Sequence, residues 1–259
     1  MVLGARLTPV GGNLQLTRRR GEMPELYQKD PYLKSVRTTI AEATTAKKKP
    51  AVSLAANILY PGGGQPADKG FVTLESGQRV VIERVLKMNR KVYAVLGEAA
   101  EVAAGDEVEV EIDWARRYRN MRYHTGAHVI MAAISRGVRG YEAKGIDIAE
   151  DGSGCALLFT GEWGVSEAEA KAFVEAANRT ISAGRQVLTV EFETLSQAIE
   201  QYKDTYRGPK EMGGPVSIIV IEGWDANPCG GTHVANLSEI GPVELDSWGK
   251  EELRFHQTG

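Results

Sequence analysis

Three of the four histidines and one of the two cysteines in this 259-residue chain sit in two five-residue motifs. The first is His124-Thr125-Gly126-Ala127-His128 and the second is Cys229-Gly230-Gly231-Thr232-His233. No other feature limits the possible folds as strongly. If the first motif is helical, residues i and i+4 share a face and both imidazoles can point at one ion. In the second, paired glycines are expected to supply the backbone angles that let a thiolate and an imidazole converge. Zinc takes four such nitrogen and sulfur donors in a tetrahedron, or three and an open position. The expected ligands of a single zinc ion are therefore His124, His128, Cys229 and His233. A zinc finger does not fit, because 101 positions separate His128 from Cys229. A zincin protease needs Glu after the first His as its base, and that position is Thr125. Cys155 is expected to pack inside a sheet and His256 to lie at the surface.

Hydrophobic periodicity supplies the frame. Residues 51–54, 71–74, 80–82 and 92–95 read as strands. So does 106–113, where Val108, Val110 and Ile112 alternate with Glu107, Glu109 and Glu111. Short strands separated by glycine-bearing turns, including Pro61 to Gly64, predict a small barrel. After Asp113 the pattern changes to a long helix over 114–137. A second helix fits 166–183, with a capping-box spacing at Ser166 and Glu169 and a stop at Gly184. A short third fits 195–202, and strands fit 156–159, 187–192 and 216–221. The expected fold is α+β, a small N-terminal β-barrel followed by a zinc-binding domain with a mainly antiparallel sheet and packed helices. Its expected divisions are a loose extension over 1–22, the barrel over 23–113 and the zinc domain over 114–259, with Met23 a candidate start beside Met1.

The composition is that of a soluble globular protein, with no uninterrupted apolar stretch long enough for a membrane helix. Basic residues near the start lack the apolar segment of a secretory signal. Two cysteines form no disulfide framework, so a cytoplasmic location is expected. Net charge is −3, yet it is unevenly spread. Residues 1–49 carry ten Lys/Arg against four Asp/Glu and residues 114–144 seven against one, while 145–204 carry four against eleven. Such segregation can build a basic face for phosphates, or it can reflect solvated helix faces.

Beyond the ligand motifs, other segments extend a family likeness. They are Leu26-Tyr27-Gln28-Lys29-Asp30-Pro31-Tyr32, the loop Tyr60-Pro61-Gly62-Gly63-Gly64-Gln65-Pro66-Ala67-Asp68-Lys69-Gly70, and Glu239-Ile240-Gly241-Pro242. Together they make residues 23–256 resemble the editing domain of alanyl-tRNA synthetase and the AlaX trans-editing proteins, in their medium-length form with a barrel and a zinc domain. The resemblance implies zinc-dependent hydrolysis of tRNA(Ala) mischarged with serine, and also with glycine. A related zinc-type fold edits Ser-tRNA(Thr) in threonyl-tRNA synthetases, and a non-catalytic RNA-binding module with a structural zinc is the alternative outside enzymes.

The glycine loop is one residue shorter between Tyr60 and Gln65 than is usual in the family. The stretch Tyr141-Glu142-Ala143-Lys144-Gly145, where the family often places a hydroxyl or amide in the amino-acid pocket, has neither. Expected substrate or tRNA contacts are Gly63, Gly64 and Gln65 in the loop and Arg116, Arg117 and Arg119 at the start of the long helix, where Arg122 belongs to the same basic cluster. Lys47, Lys48 and Lys49 form a further basic cluster. Thr125 and Thr232 either meet substrate or bond nearby backbone. No residue is assigned a catalytic role.

Overall fold

The computed structural model describes residues 25–97, 100–161 and 163–258. The extension over 1–22 and Met23 lie outside the described residues. A short helix α1 (Leu26–Lys29) leads into six strands, β1 (Ser35–Ala46), β2 (Lys49–Leu54), β3 (Gly70–Leu74), β4 (Arg79–Met88), β5 (Lys91–Leu96) and β6 (Glu107–Ile112). They close in the order β1-β2-β5-β4-β3-β6, with every neighbouring pair antiparallel. Alternation decides which side faces in. Val108, Val110 and Ile112 of β6 are buried beside Val72, Val80 and Ile82, while Glu107, Glu109 and Glu111 stay outside.

Directly after β6, Asp113 accepts a hydrogen bond from the Arg116 amide (3.0 Å) and caps α2 (Trp114–Gly137). Sixteen of the 24 residues of α2 are buried. A helix with one apolar stripe could not reach that, so α2 is enclosed on several sides. It packs against α3 (Glu167–Ser182) and against the strands β7 (Tyr141–Ile148) and β8 (Cys155–Gly161). Ser166 and Glu169 form the reciprocal cap expected for α3.

The remaining elements are β9 (Val187–Phe192), α4 (Leu195–Gln201), β10 (Val216–Ile221), β11 (Asp225–Pro228), β12 (Val243–Trp248) and β13 (Glu252–Gln257). They complete two antiparallel sheets, β11-β10-β9 and β12-β13-β8-β7. The architecture is α+β with a closed barrel. Cys155 is buried in β8 and His256 is partly exposed beside Asp246.

Several strands escaped the pattern. In β1 only Ile40 is fully buried, and the other residues are largely Thr, Ala and charged groups on a wall that is half solvated. β7 is exposed along most of its length. β12 and β13 are short and mix charges with single apolar residues, so neither stood out.

One buried ion pair ties the two halves together. Arg117 of α2 and Asp68 of the glycine loop are both almost fully enclosed. Arg117 Nε donates to Asp68 Oδ1 (2.9 Å) and Nη2 pairs with Oδ2. The rest of the guanidinium donates to the carbonyls of Pro31 (2.9 Å) and Ile58 (2.6 Å). Asp68 also accepts from the Tyr60 amide at 2.6 Å. A buried charge is tolerated only with this degree of pairing.

Candidate metal centre

Helix α2 sets His124 above His128, one turn apart, with ring centroids 5.3 Å from each other. The hairpin β10–β11 ends at Pro228 and delivers Cys229 to the same point, followed by His233. The His233 ring lies 4.3 Å from that of His124 and 5.0 Å from that of His128. The four potential donor atoms all lie within 4.8 Å of one another. Cys229 Sγ is 3.5 Å from His124 Nε2 and 3.4 Å from His233 Nε2. Bonds of about 2.0–2.1 Å to nitrogen and about 2.3 Å to sulfur would place tetrahedral neighbours about 3.3–3.6 Å apart. The cluster has the dimensions and donor chemistry to hold one metal ion.

The hydrogen bonds behind the rings fit the same purpose. A metal-binding imidazole generally donates its second nitrogen to an oxygen, which fixes the tautomer and orientation. His128 Nδ1 faces Asp225 Oδ2 at 3.3 Å, and a carboxylate only accepts. Asp225 is itself held by Arg207, through Nε (2.9 Å) and Nη2 (3.0 Å). His233 Nδ1 faces Thr125 Oγ1 at 3.2 Å. That hydroxyl gives its proton to the Met121 carbonyl (2.9 Å), so it accepts from His233 and from the Val234 amide (3.2 Å). His124 Nδ1 faces Gln65 Oε1 at 2.9 Å. Every histidine in the cluster thus turns its Nδ1 to an oxygen.

Charge is arranged to match. Burial alone would raise the Cys229 pKa, but the neighbouring His124 and His233 and the hydrogen bonds from His124 and His128 hold it well below the usual thiol range. A thiolate is the form that binds metal. Burial and the nearby His124 lower the pKa of His233, favouring the neutral imidazole. For His128, burial is outweighed by Asp225 and Cys229, which raise its pKa. Cation binding would have to displace that proton.

A cavity of about 210 Å³ opens on His124 and His128. Ala127 and Met131 of α2 line it, as do Ala143–Ile146 of β7, Arg207, and Asn227 of β11. Its size is below the roughly 300–1,000 Å³ of drug-sized pockets, which suits a small group. Two larger clefts, of about 460 and 470 Å³, lie on the barrel side, one along β1, β3 and β6 and one beside Trp114. Neither contains a nitrogen or sulfur metal donor.

Several expectations need correction. Arg116 and Arg117, expected at a phosphate-facing surface, are both buried. Arg116 donates to the Ala67 carbonyl (3.1 Å) and to Glu150 Oε2 (2.7 Å), bracing the helix start against the barrel loop. Arg122 holds the Ile240 carbonyl at 2.8 Å. Arg119 is partly exposed and donates to the Glu150 carbonyl at 3.2 Å. Gln65 is buried, whereas Gly63 is exposed and Gly64 is intermediate. Lys49 is engaged with Glu83 at 2.7 Å.

The paired glycines of the second motif also act differently from expectation. Neither Gly230 nor Gly231 has a positive φ. A Cβ at Gly231 would overlap the His124 ring, and one at Gly64 would come within 3.0 Å of it. These glycines supply room for close approach. Nothing in the sequence marks Gln65 as a partner of His124, nor Asp225, Arg207 and Asn227 as neighbours of the cavity. Each is an ordinary polar residue until the fold brings it in.

Comparison with known proteins agrees with this geometry. Residues 216–252, which carry Cys229 and His233, match the family described as the threonyl and alanyl tRNA synthetase second additional domain. The chain is 32% identical over 224 residues to the alanine–tRNA ligase of Metallosphaera sedula, covering 85% of this chain and 24% of that one. Over most of its own length the chain is thus similar to alanine–tRNA ligases. The corresponding ligase of Saccharolobus islandicus is 34% identical over 226 residues, with 85% and 24% covered. That of Pyrococcus furiosus is 30% identical over 237 residues, with 90% and 25% covered. The chain spans about a quarter of the length of these curated relatives. Among its described residues no helix is long and apolar enough to cross a membrane.

Proposed function

We propose that the chain is a zinc-dependent aminoacyl-tRNA deacylase that hydrolyses mischarged tRNA(Ala), with Ser-tRNA(Ala) as main substrate and Gly-tRNA(Ala) as a second. The observation that carries this reading is a small cavity opening directly onto two of four convergent nitrogen and sulfur donors. Likeness to alanine–tRNA ligases supports tRNA as the partner. Editing answers a physical need. A pocket built for alanine cannot strongly reject a residue that adds a hydroxyl or lacks a methyl, so a separate hydrolytic site restores accuracy.

In this reading His124, His128, Cys229 and His233 hold the ion. Bound zinc supplies Lewis acidity for ester hydrolysis. Ala127, Met131 and the β7 segment shape the space for the aminoacyl group. Asn227 supplies the amide that the stretch from Tyr141 to Gly145 lacks, and Lys144 and Arg207 add positive charge at the cavity wall. Hydrolysis adds water across the ester and releases the amino acid and intact tRNA. Gly63 and Gly64 contact the tRNA end at the mouth of the site, and Arg119 is the phosphate contact retained from the basic cluster. Two cysteines that form no disulfide suit a reducing cytoplasm.

A second reading is an RNA-binding module with a structural metal, favoured by four protein donors around one point, as in closed structural sites. Purified protein assayed against Ser-tRNA(Ala), Gly-tRNA(Ala), Ser-tRNA(Thr) and Ala-tRNA(Ala) separates the two. The deacylase should release serine from tRNA(Ala) fastest and leave Ala-tRNA(Ala) intact. Faster release from Ser-tRNA(Thr) would transfer the activity to the threonine system. Release from none, by zinc-loaded protein, would favour the binding module.

A further inference from the structure

We propose that Gln65 is a positioning residue of the metal centre: the barrel loop fixes the tautomer and angle of His124, so the metal site is incomplete without the barrel. The inference rests on the metal reading above and is independent of which tRNA is cleaved. Gln65 is 4% exposed and comes from the loop between β2 and β3, 59 positions before His124. Its amide makes a closed set of contacts. Oε1 accepts from the Thr232 backbone N–H at 3.3 Å, and Nε2 donates to Thr232 Oγ1 at 2.7 Å.

The backbone contact decides which way the amide points, because an N–H can only donate. Oε1 must therefore be the atom beside Thr232 N, and it is the same atom that lies 2.9 Å from His124 Nδ1. Facing an oxygen that carries no proton, His124 Nδ1 must be the protonated nitrogen. Nε2 is then left bare, and it is the atom 3.5 Å from Cys229 Sγ. The ring is also confined sterically. Gly64 approaches it from the barrel loop and Gly231 from the ligand loop, with no space for a Cβ at Gly231. Gln65 thus joins one ligand loop, through Thr232, to a ligand on α2.

Removing such a partner typically weakens metal binding about 10–100-fold. The test uses the full chain and zinc itself, with dissociation constants measured by chelator competition for wild type, Gln65→Met and Gln65→Glu. Two-bond ¹⁵N correlations report the His124 tautomer in the zinc-loaded forms. Gln65→Met should bind zinc at least about tenfold more weakly and show a mixed or altered His124 pattern. Gln65→Glu keeps an acceptor for Nδ1 and should bind zinc at least as tightly as Gln65→Met, with the wild-type tautomer.

Val72→Ala, in the barrel core, controls for general destabilisation. It should lower the melting temperature while zinc affinity stays at the wild-type value. Wild-type zinc affinity and an unchanged His124 pattern in folded Gln65→Met would overturn the proposal while leaving the metal centre standing. Equal weakening by Val72→Ala and Gln65→Met would also overturn it, as would failure of the wild type to bind zinc. Only the last of these would remove the metal reading too.

Discussion

In the barrel, buried Val72, Val80, Ile82, Val108 and Val110 alternate with solvated neighbours, and the interior is apolar. In α2 the buried set includes Arg117, Asn120, His124, Thr125 and His128. The barrel gains its stability from area removed from water, with each strand following period two. Helix α2 is enclosed on several sides, and Arg117, His124 and His128 are each met by a specific partner, through Asp68, Gln65, Asp225 and backbone carbonyls, whereas the Asn120 amide is buried with no hydrogen-bond partner among the described residues. The difference is between a core that tolerates small changes and one in which a single missing partner leaves a buried charge or donor exposed to nothing.

Arg117→Met should show that contrast at its largest. It leaves the Asp68 carboxylate buried without its cation, and the expected loss is about 3–5 kcal/mol, read from the denaturant midpoint at constant m-value. A loss comparable with a barrel core truncation of one methyl would break the comparison. Metal removal comes next. Free zinc at a hundred times its dissociation constant should add about 2.7 kcal/mol of stability over the chelated protein. Hydrogen exchange should place the added protection in α2 and the β10–β11 hairpin rather than in β4 and β5. Uniform protection would mean that barrel and metal half unfold as one unit.

The barrel side of the comparison predicts smaller effects. Ile82→Val, in the apolar interior, should cost about 0.5–1.5 kcal/mol by thermal unfolding and leave zinc affinity unchanged. Ser166→Ala removes only the reciprocal cap of α3 and should cost about 1 kcal/mol, again without effect on zinc. A change of zinc affinity in either variant would show that the centre senses general stability, contrary to the local wiring described for Gln65 and Asp225.

Legibility in the sequence follows the same division. β6 and the barrel core could be read because alternation of Val108, Val110 and Ile112 with glutamates records which side is buried. The convergence of His124, His128, Cys229 and His233 could be read because histidine and cysteine at these spacings have few other uses. β1 could not, since a barrel wall of Thr and Ala with one fully buried residue carries little periodic signal. The arginines of α2 misled because a basic cluster reads as a phosphate surface, while a guanidinium can equally serve as a strut for buried carbonyls and a carboxylate. Gln65 and Asp225 were hidden because partnership with a ligand depends on chain segments 59 and 97 positions away.

Zinc K-edge absorption of the stoichiometrically loaded protein tests the centre most directly. The expected result is one ion per chain with one sulfur at about 2.3 Å and three nitrogens at about 2.0–2.1 Å, and loss of the sulfur shell in Cys229→Ala. A shell of nitrogen and oxygen alone, or a wild-type spectrum in that variant, would contradict the convergence of α2 and the Cys229 loop on one metal ion.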